Sequence, residues 1–189
     1  MQVTASNLIG VDLITGQTIE GEGHVIVTAF SLHRAINQMN PTARCIMHTH
    51  QPYVASLNCL QDPRLLMVHQ ESCSFYGKIA YDSIYNGVSD NEEEGKRLAQ
   101  VLQDKEILFQ SNHGVTAAGS TVAYTFGQLY YLERACMYQM MAMKTGRQLK
   151  EIPTDIVMKT KENGDRYDWE IFFDAMKRML LAKGSRFDC

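Results

Sequence analysis

The sequence has no long apolar run, no excess of basic residues and no paired cysteine motif. No stretch of about 18 apolar residues occurs, so we expect no segment that spans a membrane. Lys and Arg total 18 against 21 for Asp and Glu, which gives a formal net charge of -3. Nucleic-acid-binding proteins usually carry a basic face, so this balance predicts no nucleic-acid partner.

Cysteine is present in an odd number, at irregular spacing and without any CxxC pair: Cys45, Cys59, Cys73, Cys136 and Cys189. This pattern favours free thiols in a reducing compartment over a disulfide framework. The first seven residues also lack the basic region and apolar stretch that begin a secretory signal. We therefore expect a cytoplasmic protein.

Repeats, low-complexity tracts and flexible linkers are lacking too, with only 4 prolines and 13 glycines in 189 residues. Residues 1–189 are therefore predicted to form one domain with its own core. Helical and strand-like hydrophobic patterns alternate along the chain, which predicts a layered α/β fold.

The predicted helices cover residues 31–39, 52–60, 91–103, 121–144 and 168–183. The predicted strands cover 8–14, with a hairpin return at 17–20, and 43–47, 64–69, 78–81 and 105–110. Asp90 or Asn91 is expected to cap the 91–103 helix, and Ser120 the long one. Glu92 to Glu94 are interpreted as a solvated helix N-terminus.

Three of the six histidines stand where a metal site would need them. His48 and His50 follow an apolar strand pattern, and alternate residues of a strand point to the same side. His113 lies in a tight turn after a second predicted strand. Three histidines and one open position satisfy Zn²⁺. Solvated or hydrogen-bonded histidines are the commoner explanation of an HxH pair alone, and the third histidine strengthens the metal hypothesis.

Five blocks in the order and spacing of this chain resemble the class II aldolase/adducin family. They are AFSLHRAI at 29–36, IMHTHQP at 46–52, SFYGKIAY at 74–81, FQSNHGV at 109–115 and YYLERAC at 130–136. The similarity covers nearly the whole chain, and it is greatest to the adducin-like branch of the family rather than to the sugar-phosphate aldolases.

The resemblance implies a three-layer α/β/α sandwich with a mostly antiparallel central sheet. It also implies a divalent metal, most often zinc with manganese or cobalt as options, held by His48, His50 and His113. Such a metal stabilises negative charge beside a scissile bond. The family's sites lie between subunits of a fourfold-symmetric tetramer, so a homotetramer is expected.

Two departures from the family pattern limit this inference. Ala29 stands where the sugar-phosphate aldolases carry a metal-binding, acid/base glutamate, four residues before the histidine that matches His33. The family's first helix and hairpin, with its phosphate-binding loop, have no counterpart in this sequence. A phosphorylated substrate is therefore poorly supported, and the catalytic residue is unknown.

Glu71 is a weak candidate for the missing carboxylate, as a fourth ligand or a base, with an ordinary partly exposed glutamate as the alternative. His33 is expected to pack near the metal loop, and His69 to be simply hydrogen-bonded. Glu133 and Arg134, in the long helix, are interpreted as a structural or interface ion pair.

Two functions fit these features. The first is a metal-dependent aldolase-like lyase acting on a small hydroxy-carbonyl or hydroxy-acid compound, with the metal as electrophile. The second is a non-catalytic oligomerisation module like the adducin head, associated with the actin cytoskeleton. The three histidines favour the first, because a pure scaffold has no need of them.

Overall fold

The computed structural model describes residues 3–87, 92–164 and 166–188. The strands are β1 Gly10–Val11, β2 Thr18–Glu20, β3 Cys45–Thr49, β4 Ile79–Asp82, β5 Ile107–Gln110 and β6 Val115–Gly119. The helices are α1 Val27–Met39, α2 Pro52–Asn58, α3 Gln70–Cys73, α4 Glu92–Leu102, α5 Val122–Met143, α6 Thr154–Gly164 and α7 Trp169–Ala182, after a short 3₁₀ turn at Ala5–Asn7.

The central sheet has four strands in the order β3-β6-β5-β4, and β1 and β2 form a separate antiparallel ribbon. β6 is antiparallel to both of its neighbours, whereas β4 and β5 are parallel. The expected mostly antiparallel sheet is therefore confirmed. A consequence of this order is that β3, β4 and β5 all run in the same direction and end at one edge of the sheet.

Helices cover both faces of this sheet, which confirms the three-layer α/β/α fold. Successive residues of β5 point to opposite faces. Ile107 and Phe109 join the core formed with α2 and α5, whereas Leu108 joins the core formed with α1 and α4. None of the described helices is both long and apolar enough to cross a membrane. The four cysteines within the described ranges are free, and Cys189 lies outside them.

Several boundaries differ from the sequence-based ones. α1 begins at Val27, four residues earlier than predicted, and β3 continues to Thr49, so His48 lies inside the strand. Thr121, not Ser120, caps α5, and its side chain accepts a hydrogen bond from the Tyr124 amide. The expected cap at Asp90 or Asn91 lies outside the described residues.

The predicted strand at residues 64–69 is wrong. The Leu65 amide donates to the Tyr81 hydroxyl and the Leu66 amide to Gln139 Oε1, so side chains replace a neighbouring strand as hydrogen-bond partners. Three elements were missed: β6, α3 and α6. The β6 sequence VTAAG is rich in small residues and buried throughout, so it lacks the alternation that marks a half-buried strand.

α7 docks on α5 through Trp169, the only tryptophan in the sequence. The indole ring lies directly over Gly127 of α5, and a Cβ at that position would collide with it. Asp168 begins α7 by accepting hydrogen bonds from the Glu170 and Ile171 amides at 3.1 Å. The absence of a side chain at position 127 is therefore what lets the last helix pack.

We expect the Gly127→Ala substitution to lower the free energy of unfolding by about 1–3 kcal/mol, because the indole must move to admit the methyl group. Helix propensity alone predicts the opposite sign, a gain of about 1 kcal/mol. Urea unfolding, followed by circular dichroism, measures the difference. A stabilised variant would show that Trp169 does not rest on α5 as described.

Candidate metal centre

The three histidines meet where β3 and β5 end. β3 carries His48 and is followed at once by His50, and the turn after β5 carries His113. Because these strands run in the same direction, their carboxyl ends meet at one edge of the sheet. β6 lies between β3 and β5, so the ends of these two strands lie on either side of it.

The imidazole nitrogens converge on one point. His50 Nε2 lies 3.0 Å from His48 Nε2 and 2.9 Å from His113 Nε2. A tetrahedral zinc ion with bonds of about 2.0–2.1 Å holds its ligand nitrogens about 3.3 Å apart. Among the described residues, these three form the only cluster of His, Cys, Asp or Glu side chains spaced to hold a metal. The donor set and its spacing therefore fit a divalent ion.

A buried hydrogen-bond chain orients His48. Its Nδ1 lies 3.1 Å from the hydroxyl of Thr116, the residue opposite it on β6. The Thr116 hydroxyl donates its only proton to Gln110 Oε1 at 3.2 Å, so it must accept from His48 Nδ1–H. This fixes the tautomer in which His48 Nε2 keeps a lone pair, as a metal ligand requires.

A close backbone approach brings the turn of His113 against the end of β3. A Cβ at Gly114 would lie 2.5 Å from the Thr49 carbonyl oxygen and 2.6 Å from His50 Cδ2, so only glycine fits there. Asn112 takes a left-handed conformation (φ +53°). Buried Asn58 holds the turn, since its side-chain amide donates to the Gly114 carbonyl at 2.7 Å.

Glu133 of α5 fixes the segment that follows His50. Its carboxylate accepts hydrogen bonds from the amides of Tyr53 and Val54, in the first turn of α2, at 3.0 to 3.2 Å. Carboxylates at a helix N-terminus satisfy amides that lack a partner within the helix. The expected pairing of Glu133 with Arg134 is therefore corrected, because Glu133 binds backbone amides and Arg134 faces Glu71.

Burial sets the protonation of the cluster. It lowers the pKa of His48 from 6.5 to about 4, with smaller contributions from His113 and His50. Burial also lowers the pKa of His113. Both imidazoles are thus neutral at pH 7, which is the form that binds metal.

The histidines open into a cavity of about 240 Å³ between the sheet edge, α1 and α4. Ala29, Leu32 and Leu98 form an apolar wall, so the position where the family resemblance expects a glutamate does line this cavity. Tyr85 lies near the histidines, with its ring centroid 6.4 Å from that of His113.

Two carboxylates in the cavity wall were missed from the sequence. Asp82 ends β4 and is 4% exposed, and Glu94 is not solvated as expected but 15% exposed. Arg97 clamps both, donating to the two Asp82 oxygens at 2.9 and 2.6 Å and to Glu94 at 2.7 and 2.9 Å. This lowers the pKa of Glu94. In the sequence, the i,i+3 spacing of Glu94 and Arg97 indicates their ion pair but not the contact between Arg97 and Asp82.

The other candidates lie elsewhere or have structural roles. Glu71 lies on α3, in the wall of a different cavity, and contacts Arg134 at 3.5 Å. His69 caps α3, accepting from the Glu71 amide, and packs on the Tyr138 ring. His33 is half-buried in α1, and its proximity contributes to the lowered pKa of His48.

Comparison with known proteins connects this site to a family. Residues 1–140 match the family model described as Class II Aldolase and Adducin N-terminal domain. The chain is 34% identical to human beta-adducin over 148 residues, which are 76% of this chain and 20% of beta-adducin. It is 25% identical to the decarboxylase NovR of Streptomyces niveus over 158 residues, 84% of this chain and 58% of NovR.

Solved structures share the fold. An aldolase II superfamily protein from Pseudomonas syringae superposes with a TM-score of 0.87 at 28% identity, covering 98% of this chain and 75% of that one. An L-fuculose 1-phosphate aldolase from Glaciozyma antarctica gives 0.82 at 24% identity, covering 99% and 73%. The chain spans 56% to 61% of the length of the first bacterial relatives that it matches.

We expect Thr116→Val to weaken metal binding about 10–100-fold, because the hydroxyl that orients His48 is lost while side-chain shape is kept. Competition with a chromogenic chelator measures the dissociation constant. Thr125→Val is the matched control, since Thr125 is about as buried but its hydroxyl donates to the Thr121 carbonyl at the start of α5. Equal affinities of the two variants would refute the orienting role of Thr116.

The metal-free protein should lose stability as pH falls from about 7 to 5. In the unfolded chain His48 binds a proton near its ordinary pKa of 6.5, whereas in the folded chain it does so only near 4. The unfolded state therefore takes up more protons, which costs up to about 2 kcal/mol over this interval. Urea unfolding at the two pH values tests this, and His48→Asn should flatten the dependence. An unchanged dependence in that variant would contradict the assignment.

Proposed function

The chain belongs to the class II aldolase and adducin family, and from this premise we propose that it is a metal-dependent lyase acting on a small hydroxy-carbonyl or hydroxy-acid compound. The observation that carries this proposal is the convergence of His48, His50 and His113 in the wall of one cavity. When bound, a divalent metal supplies a Lewis acid that stabilises negative charge developing beside a carbonyl group.

The residues of the chain prepare the site in three ways. Thr116 and Gln110 hold His48 in the tautomer that leaves Nε2 free. Gly114 lets His113 approach the β3 end, and Glu133 fixes the backbone beyond His50. Positions held in this way need little reorganisation when a substrate binds.

The cavity supports a small substrate without a phosphate group. Its volume of about 240 Å³ is small for a ligand site. No Lys or Arg is found among the described residues that line it, and Arg97 behind the wall is engaged by two carboxylates. A dianionic phosphate would therefore meet no lysine or arginine in the described wall, because Arg97 behind it is already paired with Asp82 and Glu94.

Proton transfer is not assigned to a residue of this chain. Ala29 has no ionisable group, and the lowered pKa of Glu94 makes it a poor proton donor at neutral pH. Glu71, the candidate from the sequence, lines a separate cavity. The reaction class thus rests on the metal ligands and the family, and the acid/base group is unassigned.

We propose zinc as the metal, with manganese or cobalt as alternatives, and a cytoplasmic homotetramer as the assembled state. Neutral imidazoles suit each of these ions, so ligand type alone does not choose among them. The proposed fourfold assembly follows the family, in which neighbouring subunits complete each site.

An adducin-head-like oligomerisation module, bound to the actin cytoskeleton, is the second candidate. The observation that favours it is the 34% identity to human beta-adducin, which exceeds the 25% identity to the decarboxylase NovR. Under this alternative the histidine cluster is a structural metal site or a vestige. Ala29 fits it well, because a scaffold needs no acid/base group.

The first experiment measures metal content by inductively coupled plasma mass spectrometry on untagged protein, with the oligomeric mass measured by light scattering. We expect about one ion per chain in a tetramer, because three histidines with one open position bind a single divalent ion. Changing His48 and His113 together to alanine should abolish this stoichiometric binding.

His24→Ala gives the control, since this exposed histidine lies outside the cluster. The control should retain its metal. A folded wild-type oligomer that takes up no added zinc would overturn the enzyme proposal and leave the adducin-like module. A double variant that still binds one ion per chain would show that the site lies elsewhere.

A further inference from the structure

Gln110, the last residue of β5, carries a hydrogen-bond donor that the protein does not use. The residue is 4% exposed and lines the cavity into which the histidines open. Its Oε1 accepts the hydroxyl proton of Thr116 at 3.2 Å. Its Nε2 donates to no atom in the described part of the chain, yet it is not sealed from solvent as the unpaired oxygens of Asn58 and Gln128 are. An unpaired donor therefore faces the cavity.

The alternation of β5 directs this side chain toward the histidines. Leu108 belongs to the core formed with α1 and α4, and Gln110, two residues later, lies on the same face of the sheet. Thr116 of β6 pairs with both Leu108 and His48, and paired residues point to one face. The Thr116 hydroxyl holds Oε1, and because the amide group is planar, this contact also fixes the direction of Nε2.

The carboxylates nearby cannot take over the role of this donor. Asp82 accepts two hydrogen bonds from Arg97, at 2.9 and 2.6 Å. Glu94 accepts from Arg97 and from the side-chain amide of Asn86. An ionised carboxylate has no proton to donate. Gln110 thus supplies a buried N–H group in a wall otherwise made of engaged carboxylates and apolar side chains.

We propose that Gln110 Nε2 donates a hydrogen bond to a carboxylate oxygen of the substrate, so that the cavity selects a hydroxy acid over a hydroxy ketone. This inference rests on the proposed lyase function. A hydroxy ketone has one carbonyl and one hydroxyl oxygen, and chelation of an ion would use both. A hydroxy acid bound in the same way keeps its second carboxylate oxygen free. Nε2 can only donate, so it requires an acceptor of this kind.

Charge favours a substrate with a single carboxylate. Asp82 and Glu94 share one guanidinium group, that of Arg97, so together the three side chains carry one net negative charge. Metal-bound imidazoles are neutral. A divalent ion and a monoanionic substrate therefore bring the sum of formal charges to zero. Leu32 and Leu98 leave an apolar space for the rest of the substrate, which points to a short 2-hydroxy acid with an alkyl group.

Lactate and acetoin form a matched pair of probes, because acetoin has a methyl group in place of one carboxylate oxygen of lactate. The full chain is loaded with cobalt(II), and its visible absorption is followed during titration with each probe at constant ionic strength. We expect the wild type to bind lactate at least about tenfold more tightly than acetoin. Part of this preference comes from the charge of lactate, so the contribution of Gln110 is measured with variants.

Gln110→Met removes the donor and nearly keeps the shape of the side chain. It should lower the preference for lactate over acetoin at least about tenfold, because a hydrogen bond to a charged acceptor is lost. The ratio of the two affinities cancels a general loss of metal affinity, since both probes bind the same ion. Gln100→Met is the matched control and should keep the wild-type ratio, because Gln100 is exposed on α4 and does not line the cavity.

Gln110→Asn keeps the inference testable if Gln110→Met fails to fold. It retains an amide beside Thr116 but is one methylene shorter, so its nitrogen stops short of the present position of Nε2. This variant should also lower the ratio about tenfold.

Metal content, measured on the same samples, separates this inference from the proposed function. A wild type that binds metal but does not prefer lactate would overturn the inference and leave the metal centre intact. An unchanged ratio in a folded Gln110→Met variant, or in Gln110→Asn if the first does not fold, would do the same. A wild type that binds no metal would overturn the proposed function and this inference with it.

Discussion

The candidate metal centre depends on one close backbone approach, where the turn after β5 passes the end of β3. Gly114 is the contact point, and any side chain there would strike the Thr49 carbonyl or the His50 ring. His48 near the end of β3, His50 just after it and His113 from 63 residues beyond His50 reach a common point only because this gap is closed. The shared direction of β3 and β5 brings the ends of these strands together, and Gly114 sets the distance between the turn and the end of β3.

Buried polar groups then hold in place the histidine cluster that this backbone approach makes possible. Thr116, Asn58 and Gln110 are nearly inaccessible to solvent, and each makes a hydrogen bond that positions a part of the site. Buried polar networks with satisfied partners fix one arrangement at the expense of simpler apolar packing. Other buried polar side chains lie elsewhere in the core, and these three act on the site because each holds a histidine or the turn that carries one.

The sequence predicted what depends on local periodicity and missed what depends on partners distant in the chain. The helical pattern over residues 121–144 and the alternation around His48 located α5 and the ligand pair. β6 was missed because its small residues carry little strand signal, and its position follows from pairing with β3 and β5. The Arg97 clamp joins α4 to the end of β4, and no spacing within either element reveals Asp82 as a partner.

The side chains of β5 alternate between the two cores, and this alternation affects how cooperatively the protein unfolds. Leu108 belongs to one hydrophobic cluster, whereas Ile107 and Phe109 belong to the other. Neither core can therefore unfold without losing its contacts with β5, the strand that the two cores share. Gln110, at the end of that same strand, belongs to the hydrogen-bond chain that orients His48. Occupancy of the histidine cluster is thereby linked to a strand that is buried along its whole length, and loss of an ion would lower protection against hydrogen exchange in both layers instead of loosening one loop.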